Sequence, residues 1–153
     1  MKICGITAEY NPFHKGHAYQ IEKARQAGAT HILAVMSGNF VQRGVPAMLD
    51  KWVRVRAALS SGADLVVELP LPFATASAET FAYGALSLMQ ATGCVDMVSF
   101  GAEDEQAQLQ KVLSVLLSPE FEPVFRLRLM GGGSYAAARS QTVEDLAGEE
   151  TAA

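Results

Sequence analysis

Short apolar runs alternate with amphipathic segments along the first two thirds of the chain. We expect β-strands in the apolar runs near 2–8, 31–37, 64–68 and 95–99. The segments between them carry apolar residues at helical spacing, end at a glycine and span 16–28, 50–62 and 76–93. Strands that are apolar throughout, separated by helices, predict a parallel sheet buried on both faces. The expected fold class is therefore an open α/β sheet with right-handed crossovers.

Two of the predicted helices have an apolar face suited to packing against such a sheet. Asp50 is a favourable N-cap for the second helix, in which Trp52, Val55 and Leu59 share one side. The third helix has a broader apolar face, made of Ala78, Phe81, Ala82, Ala85, Leu88 and Met89. We expect both faces to form part of the core.

The last third of the chain has a different pattern, because no strand-like run follows residue 101. Ser118 and Pro119 suit the start of a helix that would end at Gly131, and Ser134 begins another helical stretch. We expect a sheet-containing domain over 1–117 and a helical extension over 118–153. A four-stranded sheet with an exposed last strand also predicts that the chain is the N-terminal part of a longer protein.

Composition restricts the class of protein further. Half of the 153 residues are hydrophobic, which indicates a globular fold, and no apolar run is long enough for a membrane span. The N-terminus lacks a signal-peptide pattern. Cys4 and Cys94 lie in or beside apolar runs, so we expect core positions for both and a reducing, cytoplasmic setting.

The charge is uneven along the chain. The net charge of −4 argues against a stand-alone nucleic-acid binder, which usually carries a basic face. Arg43, Lys51, Arg54 and Arg56 nevertheless form a local basic cluster that contains one acid, Asp50. The cluster fits a phosphate-binding surface, and it also fits the solvated face of a helix.

The segment "NPFHKGH", residues 11–17, joins the first predicted strand to the first predicted helix. The amides and the dipole at a helix N-terminus favour phosphate, and Gly16 allows a ligand to approach the backbone. His14 and His17 could donate hydrogen bonds to phosphate oxygens, so the segment suits ATP held for attack at its α-phosphorus. The alternatives are structural histidines or metal ligands. No third ligand supports a metal site, and His31 looks structural.

Ligands of open α/β sheets bind outside the carboxyl ends of the strands. The loops at those ends span 9–16, 37–44, 69–73 and 101–104. These four loops are therefore expected to meet in space, although they are far apart along the chain.

Several long stretches of the chain resemble known proteins. The motif at 11–17 resembles the signature of the nucleotidyltransferase superfamily of the His-Ile-Gly-His type. The resemblance to the tRNA(Met) cytidine acetate ligase family is more specific and covers residues 2–139. It is carried by "GITAEYNPFHKGHAYQI", "VMSGNFVQRGVPAMLDKWVRVRAALSSGADLVVELP", "FAYGALSLM" and "SFGAE".

This resemblance implies a Rossmann-like open parallel sheet with extra C-terminal helices, and an ATP-binding domain over 1–117. It also implies an enzyme that forms acetyl-adenylate from ATP and acetate. The acetyl group then passes to N4 of the wobble cytidine of elongator tRNA(Met). ATP is a substrate in this chemistry, and Mg²⁺ is compatible with it.

The resemblance also assigns site residues. His14 and His17 are the candidate catalytic residues. The implied ATP contacts are Thr7, Ala8, Glu9, Tyr10, Asn11, Pro12, Phe13, His14, Lys15, Gly16, His17, Ala18, Tyr19, Gln20 and Gly101. A loop over the same site, facing acetate, phosphate or cytidine, comprises Ser37, Gly38, Asn39, Gln42 and Arg43. Ser99 and Phe100 are expected to pack, and Glu68 suits either a backbone contact or a role at the site.

One departure from the family leaves the activity of this chain open. The family carries a Pro-Asn-Asn-Ile-Leu-Gly-like segment and an Ile-Ser-Ser-like segment further along, and neither occurs in the 153 residues. Some ATP contacts and the main tRNA surface are therefore expected to be missing. Two alternatives stay open, a small-molecule nucleotidyltransferase and a non-catalytic nucleotide-binding domain.

Overall fold

Four parallel strands form a single sheet in the first part of the computed structural model. The strands are β1 (Ile3–Ala8), β2 (His31–Ser37), β3 (Leu65–Leu69) and β4 (Met97–Ser99), in the spatial order β3-β2-β1-β4. β1 pairs in parallel with both β2 and β4, and β2 pairs in parallel with β3. The predicted α/β fold with a parallel sheet is confirmed, and so is each of the four predicted strands.

The structure describes residues 1–102, 106–132 and 134–148. The chain divides into two compact units, Met1–Gly101 and Ala102–Ala153. The predicted boundary at residue 117 separates an ATP-binding domain from a helical extension. It is a boundary of function, so it stays a prediction. Of the predicted loop 101–104, residues 103 and 104 lie outside the described residues.

Helices cover both faces of the sheet in the first unit. They are α1 (Lys15–Gln26), α2 (Lys51–Ser60), the short α3 (Leu71–Ala74) and α4 (Ala78–Thr92), with a 3₁₀ turn at Gln42–Gly44. On one face, α1 and α2 pack against alternate strand residues, in a core that contains Cys4, Ile6, Ile21, Ile32, Ala34 and Ala58. On the other face, α4 packs in a core that contains Leu33, Val35, Leu69, Phe81, Ala85 and Met89. The central strands are thus buried on both sides, as continuous apolar runs require.

The predicted apolar face of α2 is confirmed for Val55, which packs against the core, and is wrong for Trp52 and Leu59. Trp52 is 60% exposed and Leu59 is 42% exposed, whereas Arg54 and Ala58 are buried. The physical reason is that the Arg54 guanidinium finds hydrogen-bond acceptors inside the protein, which offset its loss of hydration. The face of α4 is largely as predicted, except that Ala78 is exposed.

The second unit is helical in its described part, with α5 (Gln106–Leu116), α6 (Phe121–Met130) and α7 (Tyr135–Ala147). The prediction that α6 begins at Ser118 is wrong, because the carbonyl of Ser118 accepts from the amide of Phe121 in a turn that precedes the helix. The Ser134 side chain caps α7 as predicted, accepting from the amide of Ala137 at 3.2 Å. Within the described ranges, no helix is long and apolar enough to cross a membrane.

The two cysteines differ. Both are free, but Cys4 is buried and Cys94 is exposed. The predicted core position is therefore confirmed for Cys4 and wrong for Cys94. The Cys94 thiol lies in the turn after α4, where it contacts the Thr92 hydroxyl at 3.2 Å.

Candidate functional site

The strand order places a switch point between β1 and β4. The chain runs from β1 outward through β2 to β3, and it then returns to the other side of β1 to form β4. The crossover after β1 leads to β2 on one side of β1, and the crossover after β3 returns to β4 on the other side, which opens a crevice at the carboxyl ends of β1 and β4. Residues 9–14 and Gly101 follow these two strand ends. This is the position at which open α/β sheets bind ligands.

Two histidines cap the helix that faces this crevice. His14 is the N-cap of α1, and its Nδ1 accepts from the amide of Gly16 at 3.1 Å. Nδ1 of His17 accepts in turn from the amide of His14 at 3.1 Å. The two rings are stacked, with their centroids 3.7 Å apart. This is a capping box in which imidazoles replace the usual hydroxyl and carboxylate groups.

The caps determine which nitrogen of each ring carries the proton. Because Nδ1 accepts in both rings, a neutral imidazole at either position has its proton on Nε2. The amides of His14, Gly16 and His17 are themselves engaged in the cap, so the donors that His14 and His17 offer at the N-terminus of α1 are their Nε2–H groups. The positive end of the helix dipole and the Nε2–H groups favour an anion such as phosphate.

His17 is held in an environment that disfavours its charged form. Its ring lies 4.9 Å from the Tyr10 ring and 5.4 Å from the Phe13 ring, measured between centroids. Burial is the main cause that lowers the pKa of His17, and the charge of His14 lowers it further. A neutral His17 donor is therefore present at neutral pH without the cost of a buried charge.

This shift predicts a pH-dependent stability. A histidine whose folded-state pKa lies below its unfolded value near 6.5 stabilises the fold fully above that value, and the contribution is lost as the pH falls through the folded pKa. We expect the free energy of unfolding in urea to fall between about pH 7.5 and pH 5. In His17→Gln, which retains an acceptor for the His14 amide, this slope should be smaller. An unchanged slope would show that His17 titrates as it does in the unfolded chain.

Other side chains of the predicted ATP stretch hold the neighbouring loop. Glu9 accepts from the amide of Gln42 at 2.8 Å, and Asn11 accepts from the amide of Met48 at 2.7 Å. Tyr10 has a positive φ of 49° and is buried, which raises its pKa to about 12. In the described part of the chain its hydroxyl has no hydrogen-bond partner. The side chains of Glu9 and Asn11 thus hold the loop after β2, and Tyr10 is buried beneath the site.

The far end of the ATP stretch contacts the end of β4. Gln20 donates to the carbonyl of Ser99 at 3.0 Å, two residues before Gly101. Gly101 is exposed, and a Cβ there would meet nothing within 4 Å, so the space beside it is open. Phe100 is 73% exposed, so its predicted packing role is wrong, because β4 is a short edge strand with nothing in its unit over the ring.

The remaining residues of the stretch lie along the end of β1 and the first turns of α1. Tyr19 is exposed, with the Lys23 ammonium 5.3 Å from its ring centroid. The half-buried members are Thr7, Ala8 and Ala18, and the exposed members are Pro12, Lys15 and Gly16.

The predicted substrate loop continues from the end of β2 and folds back on itself. Ser37 and Gly38 are buried at the strand end. Asn39 accepts from the amide of Lys51 at 3.3 Å, which links the loop to α2. Arg43 has a positive φ of 66° and is exposed, so its side chain is available to a ligand. Glu68, beside Gly38, pairs with the Lys51 ammonium at 2.6 Å rather than with backbone.

Arg54 was predicted to lie on a phosphate-binding surface or on the solvated face of a helix, and both predictions are wrong for this residue because it is buried. It is 1% exposed, and its guanidinium donates to the carbonyls of Glu9 at 2.7 Å, Ser37 at 3.1 Å and Gly38, while Nε donates to Leu49 at 3.1 Å. Burial lowers its pKa, and the nearby carboxylates of Asp50, Glu9 and Glu68 oppose that shift. The Arg54 guanidinium thus links the chain after β1, the end of β2 and the start of α2 through hydrogen bonds. No helical-periodicity signal identifies such a residue, since the pattern treats arginine as a surface residue.

Comparisons with known proteins agree with this geometry. A family model described as HIGH Nucleotidyl Transferase matches residues 1–153. The chain is 48% identical to a tRNA(Met) cytidine acetate ligase of Syntrophomonas wolfei, over 98% of this chain and 37% of the relative. It is 41% identical to a tRNA(Met) cytidine acetate ligase of Caldanaerobacter subterraneus, over 99% of this chain and 39% of the relative.

A solved structure extends the comparison to the fold. A crystal structure of Thermotoga maritima TmcAL bound with alpha-thio ATP has a TM-score of 0.86 and 40% identity, covering 95% of this chain and 36% of that one. The chain thus spans somewhat more than a third of the length of these relatives. The family model, the parallel sheet and the His-x-Gly-His segment at the switch point all agree. The chain belongs to the HIGH nucleotidyl transferase family.

Proposed function

We propose that this chain is the ATP-binding part of a tRNA(Met) cytidine acetate ligase. The observation that carries the proposal is the pair of stacked histidines, His14 and His17, capping α1 at the switch point between β1 and β4. The names of the two curated relatives supply the substrates, acetate and a cytidine of tRNA(Met).

The first step is the activation of acetate. A carboxylate oxygen of acetate attacks the α-phosphorus of ATP, and the bond to pyrophosphate breaks as acetyl-adenylate forms. The positive end of the α1 dipole and the Nε2–H groups of His14 and His17 hold the phosphates and stabilise the developing negative charge. The open space at Gly101 admits the nucleoside part of ATP.

Mg²⁺ would reach this site together with ATP. Among the described residues no group of three or more His, Cys, Asp and Glu could hold a metal ion. Phosphate oxygens and water are the ligands that Mg²⁺ takes in such sites. The protein's own part is then to bind and orient the phosphates.

The second step transfers the acetyl group to RNA. The N4 amine of the wobble cytidine attacks the acetyl carbonyl and loses a proton, and AMP leaves. Asn39 and Arg43 are exposed in the loop after β2, so we assign them to acetate, phosphate or the cytidine. Two free thiols suit a reducing compartment, and we place the reaction in the cytoplasm.

ATP should stabilise the chain against unfolding, and His17→Ala should reduce this stabilisation. At a ligand concentration of about 100 times Kd, one bound ligand adds about 2.7 kcal/mol to the free energy of unfolding. The measurement is the shift in Tm with increasing ATP for the parent and the variant. His31→Ala is the matched control, because His31 is exposed at the start of β2, at the other end of the sheet.

The result is interpreted after circular dichroism has shown that both variants are folded without ATP. An equal ATP-induced shift in the parent and in His17→Ala would contradict the assigned phosphate role. Stabilisation by ATP with no acetate-dependent pyrophosphate exchange in a longer chain would favour a small-molecule nucleotidyltransferase.

A further inference from the structure

An apolar surface lies beside the candidate site. Six large apolar side chains between residues 40 and 53 are between 40% and 74% exposed. We call them the 40–53 surface, and they are Phe40, Val45, Met48, Leu49, Trp52 and Val53. Single exposed apolar residues are ordinary on a protein, whereas six in one short segment favour a binding surface.

The fold holds these side chains outward. The loop is closed by backbone hydrogen bonds from Val41 to Val45 at 2.9 Å and from Ala47 to Asn39 at 3.0 Å. The Arg54 guanidinium occupies the space beneath the start of α2, where an apolar side chain of that helix would otherwise be buried. The exposure therefore follows from the hydrogen bonding of the site and does not reflect a loosely packed loop.

Positive charge is interleaved with the 40–53 surface. Arg43 and Arg56 are exposed and supply this charge. Lys51 is half-buried and paired with Glu68, and its ammonium lies 5.4 Å from the centroid of the Trp52 ring. The one acid of the segment, Asp50, is used as a cap and accepts from the amide of Trp52 at 2.8 Å. Although the net charge of the chain is −4, Arg43 and Arg56 give this surface positive charge that complements a polyanion.

We propose that the 40–53 surface binds single-stranded RNA, with Trp52 stacking on an unpaired base and the cations contacting the flanking phosphates. Aromatic platforms with interleaved cations are the arrangement that binds unpaired nucleotides. The inference rests on the proposed function and names the surface that receives its RNA. The loop is hydrogen-bonded to Glu9 and Asn11, so the 40–53 surface borders the stretch proposed to bind ATP.

The sequence provides a direct probe of this stacking, because Trp52 is the only tryptophan in the chain. We would titrate the 153-residue chain with the anticodon stem-loop of elongator tRNA(Met) and follow tryptophan fluorescence. We expect quenching by the stem-loop, little quenching by a blunt RNA duplex of the stem sequence, and weaker binding as salt is raised.

Variants of Trp52 distinguish base stacking from general electrostatic attraction to RNA. By anisotropy of a labelled stem-loop, Trp52→Ala should weaken binding by about 5- to 150-fold, as the loss of one base–aromatic stack implies. Trp52→Phe should recover most of the affinity, since phenylalanine retains an aromatic face. Tyr83→Ala is the matched control, because Tyr83 is 67% exposed on α4, on the opposite face of the sheet, and should bind as the parent does.

Three results would overturn the inference. These are absence of stem-loop binding, binding without quenching of Trp52, and self-association in sedimentation that Trp52→Ala abolishes without any effect on RNA. The third would identify a protein interface. ATP-induced stabilisation of the same variants keeps the two proposals distinguishable. Intact stabilisation without quenching removes only the RNA surface, whereas quenching without stabilisation removes only the assigned nucleotide site.

Discussion

Arg54→Ala should lower the free energy of unfolding of the sheet-containing unit by about 3–5 kcal/mol, the cost of disrupting a buried charged network. The guanidinium is 1% exposed and donates to four backbone carbonyls. Alanine would leave these carbonyls without their donor and would also leave a cavity. Because the carbonyls belong to the chain after β1, the end of β2 and the start of α2, their relative positions should loosen together.

Urea unfolding of purified variants measures the effect, and the chain offers a matched control. Arg56→Ala removes an exposed arginine from the same helix and should change the free energy of unfolding by no more than about 0.5 kcal/mol. Arg54→Lys retains the charge, but one ammonium cannot span carbonyls arranged for a planar fork, so most of the loss should persist. If Arg54→Ala is as stable as Arg56→Ala, the loops do not depend on the guanidinium.

Arg54 also shows where reading the sequence fails. The central strands β1 and β2 could be predicted because they are buried on both faces and therefore appear as continuous apolar runs, and the edge strands β3 and β4 could be predicted from shorter apolar runs. The face of α2 could not be predicted in this way. Hydrophobic periodicity places arginine in solvent, whereas the backbone carbonyls that accept from Arg54 become neighbours only once the sheet has formed.

The candidate site, too, could be predicted only in part from the sequence. The position of His14 and His17 at a helix start follows from local order, a strand followed by a turn and a helix. The neighbour relation of β1 and β4 does not, because alternation of strands and helices is compatible with several strand orders. The contacts that complete the site, from Gln20 to Ser99 and from Gln42 to Glu9, join residues 79 and 33 positions apart. A single sequence contains no pattern that predicts these long-range contacts.

The sequence of the helical part contains a periodic pattern that predicts one more helix than was expected. α5 has apolar residues at Leu109, Val112, Leu113 and Leu116, which is helical spacing. No helix was predicted over this segment. For α6, Pro119 favoured an early start, but the turn closed by Ser118 moves the first helical residue to Phe121. Element boundaries depend on such local competition.

The isolated 153-residue chain should not acetylate tRNA measurably, while a chain extended to the length of its relatives should. Acetyl transfer requires the wobble cytidine to be held at the adenylate, and phosphate contacts from Lys and Arg dominate affinity for RNA. The chain carries a net charge of −4, and the cations beside the 40–53 surface would cover little of a folded tRNA. The family segments of the Pro-Asn-Asn-Ile-Leu-Gly and Ile-Ser-Ser types are also absent from it.

An extended chain can be built by following residue 153 with the remainder of the Syntrophomonas wolfei relative, which is 48% identical over the shared part. Each chain is incubated with ATP, labelled acetate and elongator tRNA(Met), and the label in the tRNA is counted. His17→Ala in the extended chain is the matched control and should lose the label, since it removes a phosphate donor and leaves the added RNA contacts in place. Full activity of the short chain would show that residues 1–153 contain the complete site. An extended chain that transfers no acetyl group, although it binds ATP, would favour a small-molecule nucleotidyltransferase, because the nucleotide pocket would then be present without its carboxylate chemistry.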